Sequence, residues 1–394
     1  MKITRRFFAF LLVLTAPLVM LSAAQNPHKK PAPQGRYLVY AGTYTTKTDS
    51  KGIYAYRFDA ASGQLSAIGL AAESGDPSFV AVHPSGKYLY AVNEAGNFGG
   101  GNSGAVSAFT IDRQSGKLTL LNQVATRGAG PCHVSLDKTG KYVLVANYDG
   151  GSVAVFPVQE DGSLGKESAF VQHTGSGPNK ERQEAPHAHW SGTSPDNRFA
   201  LAVDLGLDEV LVYRFDAGKG SLAPNDPPFA KLSPGAGPRH FAFHPNGKFG
   251  YVLTEMDATV TAFSYDAANG SLAPLQTIPT LPKDNTAPKE AAEIAVHPSG
   301  KFLYVSNRAG IDSITVFSID ATKGTLASAG QFSTKGKTPR HFTIDPTGAF
   351  LLVANEESNN IVVFKIDPAT GDLTPTGQVL EAPSPVCITF VPAE

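Results

Sequence analysis

One phrase recurs six times along this chain. "HPSGKYLYAVNE" begins at His83, "DKTGKYVLVANY" at Asp137, "SPDNRFALAVDL" at Ser194, "HPNGKFGYVLTE" at His244, "HPSGKFLYVSNR" at His297 and "DPTGAFLLVANE" at Asp345, at offsets of 54, 57, 50, 53 and 48 residues. A period of this size marks units that bury their hydrophobic faces only against neighbouring copies. Before most copies stands a proline and a short apolar run, as in "DPSFVAV", "GPCHVSL", "GPRHFAF" and "TPRHFTI". After each comes an alternating stretch and a glycine-containing turn, as in "VTAFSYDAANGSLA" and "ITVFSIDATKGTLA". Each unit therefore reads as four short strands joined by tight turns.

The two ends complete the series. "SPVCITFVPAE" at the C-terminus supplies the first strand of a unit, and "GRYLVYAGTYT", from Gly35, supplies the second. "GIYAYRFDAASGQLS" then adds the third and fourth strands. A ring closed by pairing the two terminal segments leaves only short edges, whereas an open stack leaves long ones. The expected fold is all-β: a seven-bladed β-propeller with four antiparallel strands per blade, forming a single domain over residues 35–394.

Composition narrows the partners. Lysine plus arginine (33) nearly equals aspartate plus glutamate (34), so no basic stripe is available for a nucleic-acid backbone. The two cysteines, Cys132 and Cys387, occupy slightly different offsets in their repeats, so no disulfide is expected and packing must hold the core. The N-terminus has a basic "MKITRR", a 14-residue apolar run and a small-residue "LSAAQ", which together read as a signal peptide over residues 1–24. That run is too short to span a bilayer comfortably. Thr4 to Phe8 fits the twin-arginine pattern, an ordinary secretory signal being the alternative. Residues 25–34, "QNPHKKPAPQ", read as a linker. The expectation is a monomer, periplasmic or secreted, with no stable membrane association once the signal is removed.

The repeat also locates a site. In "GPRHFAFHPNGKFGYVLTE" the turn centres near Asn246 and Gly247, so Arg239 falls opposite Thr254 or Glu255, within side-chain reach. The same reflection gathers every first-strand start and second-strand end around one mouth of the channel. The first column holds Phe79, His133, His187 with His189, Arg239 with His240, Glu293, Arg340 with His341, and Cys387. The second ends in Asn147, Asp204, Glu255, Arg308 and their counterparts. From these columns the candidate catalytic residues are His189, Arg239, Glu255 and Arg308. The candidate substrate-binding residues are His133, Asn147, His187, Asp204, His240, Glu293, Arg340 and His341.

Each candidate has a structural alternative. An exposed Arg239–Glu255 pair would be a strut worth about 0–1 kcal/mol. The chemical reading is a carboxylate base beside a guanidinium that stabilises an oxyanion, with Arg308 and Arg340 extending a pocket for anions. His83, His244 and His297 recur in the "HPxG" turn and are expected to pack between blades. In "APHAHW", His187 and His189 stand at strand spacing and are expected on one side, after an insert, residues 173–184, suited to a lid or specificity loop. Two histidines at that spacing can chelate a metal, but a site needs three or four ligands, so no metal and no cofactor is expected. No Gly-x-Ser-x-Gly elbow is present, so a covalent serine mechanism is not supported.

Several stretches resemble the β-propeller lactonase family, whose best-known activity is 6-phosphogluconolactonase and which includes the fungal carboxymuconate cyclase. They are "GSGPNKERQEAPHAHW", "DLGLDEVLVYRFD", "GAGPRHFAFHPNGKFGYVLTE", "AAEIAVHPSGKFLYVSNR" and "KTPRHFTIDPTGAFLLVANEESNNIVVFKID", and the resemblance covers essentially the whole mature chain. It implies a metal-independent enzyme working at the channel mouth. The family's His, Glu and Arg set would map onto His189 (or His187), Glu255, Arg239 and Arg308. The implied reaction is hydrolytic opening of a sugar-acid lactone, with Glu255 or His189 as base. The alternatives are a muconate-type cycloisomerase and a non-catalytic exported binding propeller. An export signal departs from cytoplasmic 6-phosphogluconolactonases and points to an unphosphorylated aldonolactone or another lactone.

Overall fold

Phe302, Leu303, Tyr304 and Val305 form an unbroken apolar run, and both of its faces are buried. Leu303 and Val305 pack with Phe249 and Tyr251 of the preceding repeat, while Phe302 and Tyr304 pack with Phe342 and Leu351 of the following one. A strand covered on both faces reads as continuous hydrophobicity, and here each face is an interface between blades.

A computed structural model describes residues 35–393, so the expected signal peptide and linker lie outside the described residues. It contains seven four-stranded antiparallel sheets, six of them built from consecutive strands. The seventh pairs Pro385–Pro392 with Arg36–Thr43, from Tyr37 opposite Pro392 to Gly42 opposite Cys387, and so closes the ring. The fold is the seven-bladed propeller expected from the repeat. Blade 1 is this composite sheet. Blades 2 to 7 have first strands at Val80–Val82, Pro131–Leu136, Ala188–Thr193, Pro238–Phe243, Glu290–Val296 and Pro339–Ile344.

Polar side chains latch the blades together. Tyr90, Tyr251 and Tyr304 are buried, and each donates its hydroxyl to a hairpin glycine carbonyl of the next blade: Gly162 at 3.0 Å, Gly324 at 3.1 Å and Gly371 at 2.8 Å. Such a bond contributes about 1 kcal/mol and satisfies the hydroxyl that burial takes from water. The "HPxG" histidines do the same work. Backbone N–H groups of Ser85, Asn246 and Ser299 donate to Nδ1 of His83, His244 and His297. Nε2 therefore carries the proton, and it donates to Gly140, Gly300 and Gly348 of the next blade at 3.0, 2.9 and 2.8 Å. Gly300 has φ of +73°, and a Cβ there would lie 2.8 Å from His244 Nε2, so both backbone and space require glycine. Cys132 and Cys387 are both free and buried.

Candidate active site

In a regular strand Arg239 and His240 would point to opposite faces. Pairing runs from Pro238 opposite Thr254 directly to His240 opposite Leu253, so Arg239 is an extra residue, a β-bulge. The same shift falls at Cys132, His189, Arg340 and Val386. Bulges re-aim side chains. These allow Arg239 with His240, and Arg340 with His341, to line one cavity of ≈ 250 Å³, its open mouth included. The wall is completed by Tyr44, Ser78, Glu94, Cys132, His189 and Glu293, with Phe79 and Val386.

Beside this wall lies Glu255, 4% exposed. Arg182 Nη2 meets its Oε1 at 2.6 Å, while Arg239 Nε and Arg308 Nη2 both meet Oε2 at 3.1 Å. His189 Nε2 stands 4.0 Å from Oε2. Burial alone would raise the Glu255 carboxyl, but Arg308, Arg239 and Arg182 outweigh it and hold the pKa at about 2. Arg239 is brought down to about 10 by burial and by Arg308 and Arg340, and stays charged at neutral pH. Its Nη1 also donates to the Ala292 carbonyl and to His240 Nε2.

That last contact sets a proton arrangement. Because His240 Nε2 accepts from a guanidinium, the neutral ring carries its proton on Nδ1 and donates it to Glu293 Oε2 at 3.0 Å. His341 Nδ1 accepts from the Ile388 N–H, so its Nε2 faces the same Glu293 oxygen at 3.3 Å. Burial, then Arg239 and Arg340, depress His240 well below its usual range, and burial with Arg239 and His240 does the same to His189 and His133. His341 falls to about 4, chiefly through burial. The channel histidines are neutral at pH 7.

The structure thus brings together His189, Arg239, Glu255, Arg308, His240, Glu293, Arg340 and His341. Four candidates lie elsewhere. His133 sits deeper, its ring 4.3 Å from that of Phe79 and 5.4 Å from that of His240; it does not line this cavity but, with the far sides of Glu293 and His341, the opening at the other end of the channel. Asn147 is fully buried and donates to the Thr126 carbonyl and Ser152 hydroxyl. Asp204 accepts His173 Nδ1 at 2.6 Å and the N–H groups of His187, Gly206 and Leu207. These two belong to a set of polar second-strand ends that tie down loops. His187 stacks on Tyr148 at 4.5 Å and does not line the cavity. His187 and His189 both touch the Tyr148 ring, and only His189, at the bulge, lines the cavity.

Five contributors lie outside the candidate set. Tyr44, Ser78 and Glu94 form the opposite wall, and Glu94 holds the repeat position of Glu255 and Arg308, a signal available in the sequence. Tyr148 presents its ring to both His187 and His189. Arg182 comes from the insert, which has no counterpart in other repeats. The insert is pinned by His173 to Asp204 at one end and by Gln183 Nε2 to the Leu205 carbonyl and Asp208, each at 2.8 Å, at the other.

Comparison with known proteins gives a consistent outcome. A family model described as "Lactonase, 7-bladed beta-propeller" matches residues 38–390. The chain is 42% identical over 356 residues to a 6-phosphogluconolactonase of Bacillus subtilis, covering 90% of this chain and 99% of the relative. It is 39% identical over 346 residues to a 6-phosphogluconolactonase of Formosa agariphila, covering 87% and 96%. Among solved structures, a periplasmic gluconolactonase of Pseudomonas aeruginosa superposes with a TM-score of 0.85 at 35% identity, over 91% of this chain and 100% of that one.

Proposed function

The chain belongs to the seven-bladed β-propeller lactonase family, and on that footing we propose that it hydrolyses a sugar-acid lactone at the channel mouth. The observation that carries this reading is the convergence of Arg182, Arg239 and Arg308 on Glu255, beside the neutral imidazole of His189.

On this reading the residues divide the labour. Both oxygens of Glu255 are engaged by arginines, and a carboxyl at about 2 is a poor proton acceptor at neutral pH. His189 is neutral and lines the cavity, so it takes the proton from the attacking water. Burial and Arg239 depress this imidazole, and Glu255, 4.0 Å away, offsets part of that as the imidazolium forms. Arg239 commits Nε and Nη1 to Glu255, His240 and Ala292, which leaves Nη2 for the oxyanion that grows on the lactone carbonyl. Arg308 reinforces that charge. Arg340 and His341, on the neighbouring wall, hold the hydroxyl-bearing or anionic tail of the substrate.

The signal-like residues 1–24 and the periplasmic relative support a location in the periplasm or outside the cell. The test is proton release by the purified chain 25–394 above the spontaneous rate, with 6-phosphogluconolactone and with gluconolactone. Turnover of the phosphorylated lactone alone would assign the arginines to phosphate. Turnover of the plain lactone would mark an extracytoplasmic lactonase. A folded protein that turns over neither is a binding propeller, and the reading fails.

A further inference from the structure

Opening a lactone ring takes two proton transfers, and His189 accounts for one. The second is delivery of a proton to the ring oxygen, which otherwise departs as an alkoxide. Glu94 occupies the repeat position of Glu255 but on blade 2, three blades away on a seven-bladed ring, and so faces it across the channel. It lines the same cavity as His189 and Arg239.

The two carboxyls have opposite surroundings. Three guanidiniums hold Glu255, whereas Glu94 has no ion pair among the described residues. Its direct partners are hydroxyls. Ser78 Oγ donates to Oε2, and Tyr44 OH reaches Oε2 at 3.2 Å and Oε1 at 3.3 Å. Arg340 makes no ion pair with it and donates instead to the Tyr44 hydroxyl at 2.7 Å, acting on Glu94 through its charge. The charged and titratable groups nearest Glu94 are Arg340 from blade 7, Tyr44 from blade 1, and Cys132 and Asp149 from blade 3, with His189, Arg239, His240, Glu293 and His341 across the same cavity. Burial, helped by Asp149, raises its carboxyl against the opposing pull of Arg340, Ser78 and Tyr44. A carboxyl raised by burial and held by hydroxyls, with no cation in contact, is suited to give up a proton, whereas Glu255 is held as an anion.

We infer that Glu94 is the general acid that protonates the ring oxygen of the lactone as the acyl–oxygen bond breaks. This rests on the lactonase reading. The water oxygen bonds to the acyl carbon while one water proton passes to His189, and the carbonyl electron pair becomes the oxyanion held by Arg239. On collapse the carbonyl re-forms, the electron pair of the acyl–oxygen bond stays with the ring oxygen, and that oxygen takes the Glu94 proton. The product is a hydroxy acid. The proton on His189 returns through solvent to Glu94, and ionisation of the product releases the one measured.

The test compares wild type and Glu94→Gln on an aldonolactone and on dihydrocoumarin, a lactone whose phenoxide leaves without a proton. The substitution is isosteric, and its amide oxygen still accepts from Ser78 and Tyr44, so the wall keeps its shape. The expected result is a fall in kcat/KM of about 10²–10⁴ on the aldonolactone but less than about tenfold on the aryl lactone. The high-pH decline of the wild-type rate on the aldonolactone should also vanish in the variant. An equal loss on both lactones, or no loss on the aldonolactone, overturns the inference while leaving the lactonase reading intact. A wild type inactive on every lactone overturns both. Should the aryl lactone not be accepted, a high-pH decline that persists in Glu94→Gln overturns the inference alone.

Discussion

Replacing Glu255 by glutamine tests the arginine cluster as a thermodynamic object. The carboxyl is almost fully buried and its pKa falls from 4.5 to about 2 on folding. That difference favours the folded state by about 3 kcal/mol wherever the carboxyl is ionised. The folded pKa is depressed, so this stability is fully present above pH 4.5 and is lost as the pH drops towards 2. Glutamine carries no charge at any pH; it leaves Arg239, 4% exposed, without its counter-ion and Arg308, 11% exposed, with only Glu290 at 3.5 Å. Arg182, at 41%, contributes least because water screens it. Equilibrium urea unfolding at pH 7 should show Glu255→Gln less stable by about 3–5 kcal/mol, the cost of breaking a buried pair. The gap should close between pH 4.5 and 2, where the wild-type carboxyl becomes neutral too. Under conditions where the variant is folded, turnover should fall by about 10²–10³, because Arg239 loses the partner that orients it. A stability gap that stays constant from pH 7 to pH 2.5 would refute the argument.

Other perturbations separate chemistry from scaffolding. His189→Gln should lower kcat/KM by about 10²–10⁴; in wild type the acid limb should begin only below pH 6.5, because burial and Arg239 hold this imidazole well below its usual range. A wild-type limb centred at 6.5 would contradict that. Arg182→Ala should cost less than about 1 kcal/mol of stability, as the side chain is part-exposed, yet reduce kcat/KM about tenfold by uncovering Glu255 Oε1. A large stability loss with unchanged kinetics would make Arg182 a strut. His297→Ala, which loses the bond to Gly348, should destabilise by about 1–2 kcal/mol in urea with kcat and KM unchanged. Reduced turnover at full stability would show that the turn histidine reaches the site.

Much of this was legible because the chain repeats itself. Six copies of one phrase and two complementary ends were enough to specify seven blades, the closing pair and the face where charged residues collect. The reflection that joined Arg239 to Glu255 needed only a turn centre and a two-residue period. Positional recurrence also separated the turn histidines His83, His244 and His297 from those of the channel.

The tertiary structure decided what a regular period cannot express. A bulge in six of the seven first strands re-aims adjacent residues, which is why Arg239 and His240 line one cavity and why, of His187 and His189, only His189 does. Asn147 and Asp204 looked like site residues because they neighbour the mouth in sequence, but the strand ends there and their side chains tie loops instead. Arg182 arrives from an insert without a repeat partner, so nothing in the sequence pairs it with Glu255. The protonation states were likewise beyond the sequence. They follow from burial and from how many cations surround each carboxyl, and those counts exist only once seven blades meet around a common axis.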